Sequence, residues 1–336
     1  MFKGRRIKNQ NVESILDNRQ LLHYEFTDVN KTLATVHGEA FTQYRETWNA
    51  ATKLELIPEM PLYILLETNS YCNMKCKMCT RNFITIDKKI DISDEIVDRI
   101  VQQCIKYKVP SVFVGAGAEC LINPNIKEIL KKLKSIQNLD CILITNGRNI
   151  DKDMANFLID LQFERVYVSL DAAREETYRK IRGSNLAEVE FNLNQLLELR
   201  EMRKSVLPLV RVSFVRQKEN WEEQEEFFNK WKDKVDIIDY QNLIDYKDLE
   251  KIEELEEFRQ IDFQCVNPFR MIVIDYEGNI VPCSSDYAYS MPIGNIMEMS
   301  LEEAWKSKQM QNLRESVLNK SYGKICRNCI AHCELQ

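Results

Sequence analysis

Cys72, Cys76 and Cys79 fall within eight residues of one another in the run ETNSYCNMKCKMCTRN, directly after the apolar stretch LYILLE. Thiolates are the natural ligands of iron–sulfur clusters, and a four-iron cluster given only three of them keeps one iron free for a ligand that is not protein. Such an iron is a place where chemistry happens. Zinc is the competing occupant, but closed zinc sites usually take four ligands in short pairs, and no histidine lies near this trio. Three thiols interleaved with Asn73, Lys75 and Lys77 do not read as one face of a buried strand or helix.

These cysteines need a scaffold, and the surrounding chain alternates short apolar runs with longer helical patterns. LYILLET, SVFVGA, CILITN, RVYVSL, VRVSFV and VDIIDY are six strand candidates. Between them, SDEIVDRIVQQCIKY carries Ile96, Ile100, Val101 and Cys104 on one helical face. NPNIKEILKKLKS predicts a helix capped by Asn123, and DKDMANFLIDL one capped by Asp151; LAEVEFNLNQLLELREMRK has the same pattern. Continuous apolar strands alternating with helices predict an α/β fold with a parallel sheet, curved into a barrel segment or open. Both architectures place ligands at the C-terminal ends of the strands, where the cysteine run lies.

The chain has 336 residues, enough for a catalytic domain of about two hundred residues with an appendage. Phe41, Tyr44, Trp48 and Ala51 predict a short amphipathic helix that docks on the α/β domain, and Pro58 and Pro61 mark a boundary. The run KDLEKIEELEEF reads as a solvated helix or linker. From about residue 258 the composition changes: this segment holds five of the eleven cysteines, a hairpin pattern turning at Glu277-Gly278 and one helix, SLEEAWKSKQMQNLRESVL, opened by a Ser300/Glu303 capping box. The expected units are an N-terminal helical extension (1–57), a barrel (58–245) and a small cysteine-rich domain (258–336). With 46 basic and 52 acidic residues the net charge of −6 suggests no nucleic-acid surface. No stretch approaches a membrane span, the N-terminus lacks an apolar signal region, and abundant cysteine without a secretory context points to a cytoplasmic, metal-binding protein.

The order of motifs resembles the radical S-adenosylmethionine (radical SAM) enzymes. C-x-x-x-C-x-x-C comes after the first strand, GAGAE after the second, TNG after the third and SLDA after the fourth. The C-terminal part, with Cys265, then Gly278 and Cys283, then C-R-N-C from Cys326 to Cys329, is similar to the SPASM and Twitch domains that carry auxiliary clusters. The resemblance implies a partial (β/α)6 TIM-like barrel with a small SPASM/Twitch domain after it. It implies that Cys72, Cys76 and Cys79 hold a [4Fe-4S] cluster whose free iron binds S-adenosylmethionine, and that reductive cleavage yields a 5'-deoxyadenosyl radical. The cofactor then carries the hard chemistry while the protein orients it.

By the same resemblance, Glu119 accepts a hydrogen bond from the methionine ammonium, Ser169 and Asp171 lie near the ribose or carboxylate, and Arg182 pairs with the carboxylate. Met78 stands where the family often has an aromatic residue against the adenine, and its polarizable thioether can fill that place. The family's Gly-Gly-Glu-Pro reads Gly117-Ala118-Glu119-Cys120 here. Five C-terminal cysteines are too few for a full SPASM set, so the resemblance implies one auxiliary [4Fe-4S] cluster on Cys265, Cys283, Cys326 and Cys329, with Cys333 either spare or in place of one of these four. Cys104 and Cys141 read as small core residues. Cys120, beside Glu119, is either a space-filler or a hydrogen donor to a substrate radical. His23, His37 and His332 show no ligand spacing.

A closed auxiliary cluster can accept one electron while a base removes a proton, turning an alcohol radical into a ketone; one radical cluster with one Twitch cluster resembles the arrangement of the inosamine dehydrogenases of aminoglycoside pathways. That implies an oxidoreductase acting on a small polar, sugar- or aminocyclitol-like alcohol, fed by an electron donor such as flavodoxin or ferredoxin. An epimerase using Cys120 and a peptide maturase are the rival enzymes. Maturases often carry an N-terminal peptide-recognition domain, for which the residues before the first strand are few. A non-catalytic iron–sulfur module is the remaining alternative.

Overall fold

The computed structural model describes residues 5–6, 22–84, 88–243, 264–286, 289–323, 326, 327 and 329. The acidic run from 247 to 258, His332 and Cys333 lie outside them. All six expected strands form: β3 (Tyr63–Leu66), β4 (Ser111–Val114), β5 (Asp140–Thr145), β6 (Arg165–Ser169), β7 (Leu209–Arg216) and β8 (Ile237–Asn242). They pair in parallel in chain order, so each crossover reaches the neighbouring strand. This is the partial (β/α)6 barrel.

At one edge β8 is joined by antiparallel β2 (Leu22–Glu25), which in turn pairs with β1 (Arg5–Arg6). At the other edge β3 pairs in parallel with β9 (Met271–Ile274), which continues through β10 (Asn279–Val281) to β11 (Gly294–Asn295). The cysteine-rich segment therefore adds strands to the barrel's own sheet. Gly278, with φ of +84°, sits in the β9–β10 turn that Glu277-Gly278 predicts.

The two faces of the sheet bury different partners, as alternation along a strand requires. Ile64, Leu66, Val112, Val114, Leu143, Val166 and Val210 face outward onto α3 (Asp94–Tyr107), α4 (Ile126–Lys134), α5 (Lys152–Asp160) and α7 (Leu186–Met202). Tyr63, Leu65, Leu209, Ile237, Met271 and Val273 face the concave side, where they pack on α1 (Val29–His37) and α2 (Glu39–Thr52). Phe41, Tyr44 and Ala51 are the buried face of α2, as their spacing predicts. The N-terminal region thus plugs the barrel.

Some local expectations shift. Val97 joins Ile100 and Cys104 as the buried face of α3, while Ile96 and Val101 pack at its margin. Asp151 caps α5 through the Met154 amide, as expected. Asn123 does not cap α4: its amide donates to the Thr68 carbonyl at 2.7 Å and its carbonyl accepts from the Asn125 amide at 2.8 Å. It ties the turn after β4 to the end of β3 instead. The single C-terminal helix is two, α9 (Leu301–Trp305) and α10 (Lys308–Leu318), because the Ser307 hydroxyl caps a new start at the Met310 amide. The Ser300/Glu303 capping box is present.

Candidate active site at the strand ends

The cysteine loop leaves β3 and is held by side-chain amides. Asn69 donates to the carbonyls of Tyr71 and Glu119, Asn82 to those of Cys76 and Lys77, and Asn73 to Asn149 at 2.7 Å. Asn146 of the TNG run closes the bracket by donating to Asn73 at 2.8 Å. Cys76 is buried, while Cys72 and Cys79 are partly so. Burial pushes the thiols of Cys72 and Cys79 up, and the neighbouring Cys76 adds to it. Three sulfurs in one loop at the end of a strand, two of them held back from ionising in the bare chain, suit a cationic cluster that stabilises thiolates.

Glu119 is 2% exposed and lies across the ends of two strands. Its carboxylate accepts from the Thr145 hydroxyl at 2.7 Å, the Asn146 amide at 2.7 Å and the Leu121 amide at 3.2 Å. Burial raises its pKa against the pull of these donors. The departure from the family's glycine pair has a physical reason. Gly117 carries the positive φ of +73°, whereas Ala118 is not among the residues with positive φ, so a methyl side chain fits there.

Arg182 is buried and reaches the cysteine loop: its Nη1 is 3.5 Å from Cys76 Sγ while Nη2 pairs with Asp171. Asp171, in the left-handed region at φ +65°, also accepts from the Val215 amide at 2.7 Å. It is fully buried, so its carboxylate braces Arg182 from below. Ser169 is half-buried at the end of β6, opposite Ser213. Met78 is partly buried against the core cluster that includes Cys76. Cys120 is 1% exposed, with its Sγ 3.4 Å from the Ile144 carbonyl, and burial pushes its thiol far up. It is packed against Gly115, where a Cβ would stand 2.8 Å from that sulfur.

The four C-terminal cysteines lie near enough to act on one another's ionisation, although among the described residues no three are set as metal ligands are. Burial raises Cys265, with Cys283, Cys329 and Cys326 adding to it, and Cys326 is pushed up to about 12 by burial and its neighbours Cys283 and Cys329. The Ser285 amide donates to Cys283 Sγ at 3.4 Å, and its hydroxyl lies 3.5 Å from Cys329 Sγ. Cys104 and Cys141 are core residues at 0% exposure.

This order of sites decides the family, and the comparisons agree. The profile described as the radical SAM superfamily matches residues 66–230, and that of an iron–sulfur cluster-binding domain, SPASM, matches residues 265–330. The chain belongs to the radical SAM superfamily and carries a C-terminal SPASM-type domain. Its cofactors are those of that family, a [4Fe-4S] cluster and S-adenosylmethionine, with iron–sulfur binding in the C-terminal domain. A probable GTP 3',8-cyclase of Methanococcus aeolicus is 30% identical over 130 residues, which is 38% of this chain and 43% of that one. The chain thus spans less than half the length of such curated relatives. Among solved structures, BtrN in complex with AdoMet and 2-DOIA has a TM-score of 0.53 at 16% identity, covering 80% of this chain and 93% of BtrN. SuiB of Streptococcus suis bound to S-adenosylmethionine has a TM-score of 0.61 at 16% identity, covering 86% and 76%. These likenesses concern the fold.

Two groups at the strand ends escaped the motif reading. Glu67, at the end of β3, accepts from the Tyr289 hydroxyl at 2.7 Å. His23 on β2 contacts Asp239 at 3.3 Å and Glu25 at 3.1 Å; burial lowers its pKa, but those two carboxylates raise it to about 9. The available signal for Glu67 was its parity with Tyr63 and Leu65. Among the described residues no helix is long and apolar enough to cross a membrane.

Proposed function

We propose that this radical SAM enzyme oxidises a small polar alcohol, sugar- or aminocyclitol-like, with one auxiliary cluster as the electron acceptor. In this reading Cys72, Cys76 and Cys79 hold the cluster that binds and cleaves S-adenosylmethionine, Glu119 receives the cofactor's ammonium, and Cys265, Cys283, Cys326 and Cys329 hold the acceptor. Residues 58–245 carry the radical chemistry, 258–336 the acceptor, and 1–57 form the N-terminal extension, whose helices α1 and α2 close the barrel. An electron donor of the flavodoxin or ferredoxin kind supplies the reducing electron.

The observation that carries the proposal is the pairing of β9 with β3. It joins the segment flanked by Cys265 and Cys283 to the strand that leads into Cys72, which supports an acceptor carried on the same sheet as the radical site. Two further features support a small substrate and an oxidation. The described N-terminal elements are occupied in plugging and edging the barrel, and the Cys120 thiol is enclosed where a hydrogen donor would need access.

The test is anaerobic reconstitution with iron and sulfide, then dithionite, S-adenosylmethionine and a panel of cyclitols and hexopyranosides deuterated at single carbinol carbons. The expected products are deuterated 5'-deoxyadenosine and an equal amount of ketone, unchanged in Cys120→Ala. Inverted alcohols carrying solvent hydrogen, lost in Cys120→Ala, would instead establish an epimerase.

A further inference from the structure

Glu67 is the first charged residue after the apolar strand β3. Tyr63 and Leu65 face the concave side, so Glu67 continues that row to the end of the barrel where the cysteine loop begins. Its carboxylate lies against Gly117 of the Gly-Ala-Glu run, where an added Cβ would collide with it. On the other side it accepts the Tyr289 hydroxyl at 2.7 Å on Oε2. Tyr289 belongs to the loop after Cys283, adopts φ of +51°, and is held by the buried Asp286, whose carboxylate accepts from Ser290 and Met291. Glu67 therefore stands between the two cysteine sets.

We propose that Glu67 is the proton acceptor for the substrate's hydroxyl, an inference that rests on the oxidation proposed above. Among the described residues Oε1 takes no hydrogen bond and the carboxylate makes no ion pair. Arg81, the cation whose charge acts on Glu67, spends its guanidinium on the carbonyls of Gly117 and Ser70. The other groups facing Glu67 are Tyr289, Asp275 and Tyr276, all from the C-terminal segment. Burial pushes Glu67 up to about 7, with the Tyr289 hydroxyl holding it down and Asp275 adding to the rise. A general base poised near the working pH is the effective one.

Atoms and electrons balance in this step. A hydrogen atom leaves the carbinol carbon to form 5'-deoxyadenosine. The O–H bond then breaks, its proton goes to Glu67 Oε1, the C=O double bond forms, and the one surplus electron passes to the iron–sulfur cluster of the C-terminal domain, the oxidant of the step.

Two arms test it. Infrared difference spectra of wild type against Glu67→Gln, which need no substrate, should contain a protonated-carboxyl band that titrates near pH 7. In Tyr289→Phe that titration should move upward, since the lost phenol favoured the carboxylate. A band titrating in the ordinary carboxylate range overturns the proposal, whatever the reaction. With the deuterated alcohols, Glu67→Gln should still deliver deuterium to 5'-deoxyadenosine while ketone falls by about a hundredfold or more. Glu67→Asp should restore part of it, and the rising limb of the pH–rate profile should track the infrared titration in Tyr289→Phe. Ketone at the wild-type rate in Glu67→Gln, or a pH profile unmoved in Tyr289→Phe, makes the pair a strut between segments and nothing more. If wild type itself gives no ketone, the alcohol reading fails and the infrared arm still decides on Glu67.

Discussion

Arg182 Nη1 lies 3.5 Å from Cys76 Sγ, and the same guanidinium is pinned by the buried carboxylate of Asp171. Positive charge and hydrogen bonds at a cluster sulfur favour the reduced, more negative state of the cluster. A cation anchored from behind cannot swing away.

Replacing Arg182 by Gln should therefore lower the midpoint potential of the cluster proposed for Cys72, Cys76 and Cys79, on the order of 50 mV, a scale on which 59 mV is tenfold for one electron. Asp171→Asn should shift it the opposite way or leave it unmoved, because the guanidinium stays while its counter-charge goes. Potentiometric titration monitored by electron paramagnetic resonance checks both. An unchanged potential in Arg182→Gln would leave the arginine a purely structural tie between α6 (Glu175–Arg182) and the loop.

Glu119 already accepts three hydrogen bonds from Thr145, Asn146 and Leu121, so its position does not depend on a ligand. Glu119→Gln keeps the shape and removes the charge. Charge-assisted hydrogen bonds are worth about 1.5–3 kcal/mol, so S-adenosylmethionine affinity should fall at least about tenfold. Equilibrium dialysis with the reconstituted protein measures it. Thr145→Val, which removes only a supporting hydroxyl, should cost less.

Local signals made some features readable in advance, and long-range pairing hid others. The six parallel strands were legible because burial on both faces writes continuous apolar runs such as YILL and VYVSL. The cysteine sets were legible because ligand spacing is local. The attachment of β9 to β3 was not, since edge pairing across about two hundred residues leaves no local trace. Glu67 and Tyr289 escaped for the same reason: neither has a motif, and only the fold brings residues 222 positions apart into a hydrogen bond. Ser307 shows the opposite failure, a local cap overlooked inside a helical pattern.

The plug formed by α1 and α2 should be part of the barrel's cooperative core. Phe41 is 4% exposed and shares a cluster with Tyr63, Leu65 and Met271 from the sheet's concave face. Phe41→Ala should destabilise the protein by about 3–5 kcal/mol. Denaturant unfolding of the metal-free chain checks this, with the midpoint falling while the transition stays single. A separate early transition for the N-terminal helices would mean that they dock on an already stable barrel.

The two cysteine sets rest on different supports. The Cys72–Cys79 loop hangs on Asn69, Asn73 and Asn82. The C-terminal set is framed by the β9–β10 hairpin and by Arg314, which donates to the carbonyls of Pro268 at 2.9 Å and Trp305 at 3.0 Å. Wild type reconstituted without oxygen should therefore hold about eight irons per chain, and the triple Cys72, Cys76 and Cys79 to Ala variant about four, as one four-iron cluster each would require. Iron analysis together with visible absorption decides it. About four irons in wild type would remove the auxiliary cluster. Loss of all iron in the triple variant would mean that the β3–β9 pairing couples the two sites, so that neither cluster forms unless the other is in place.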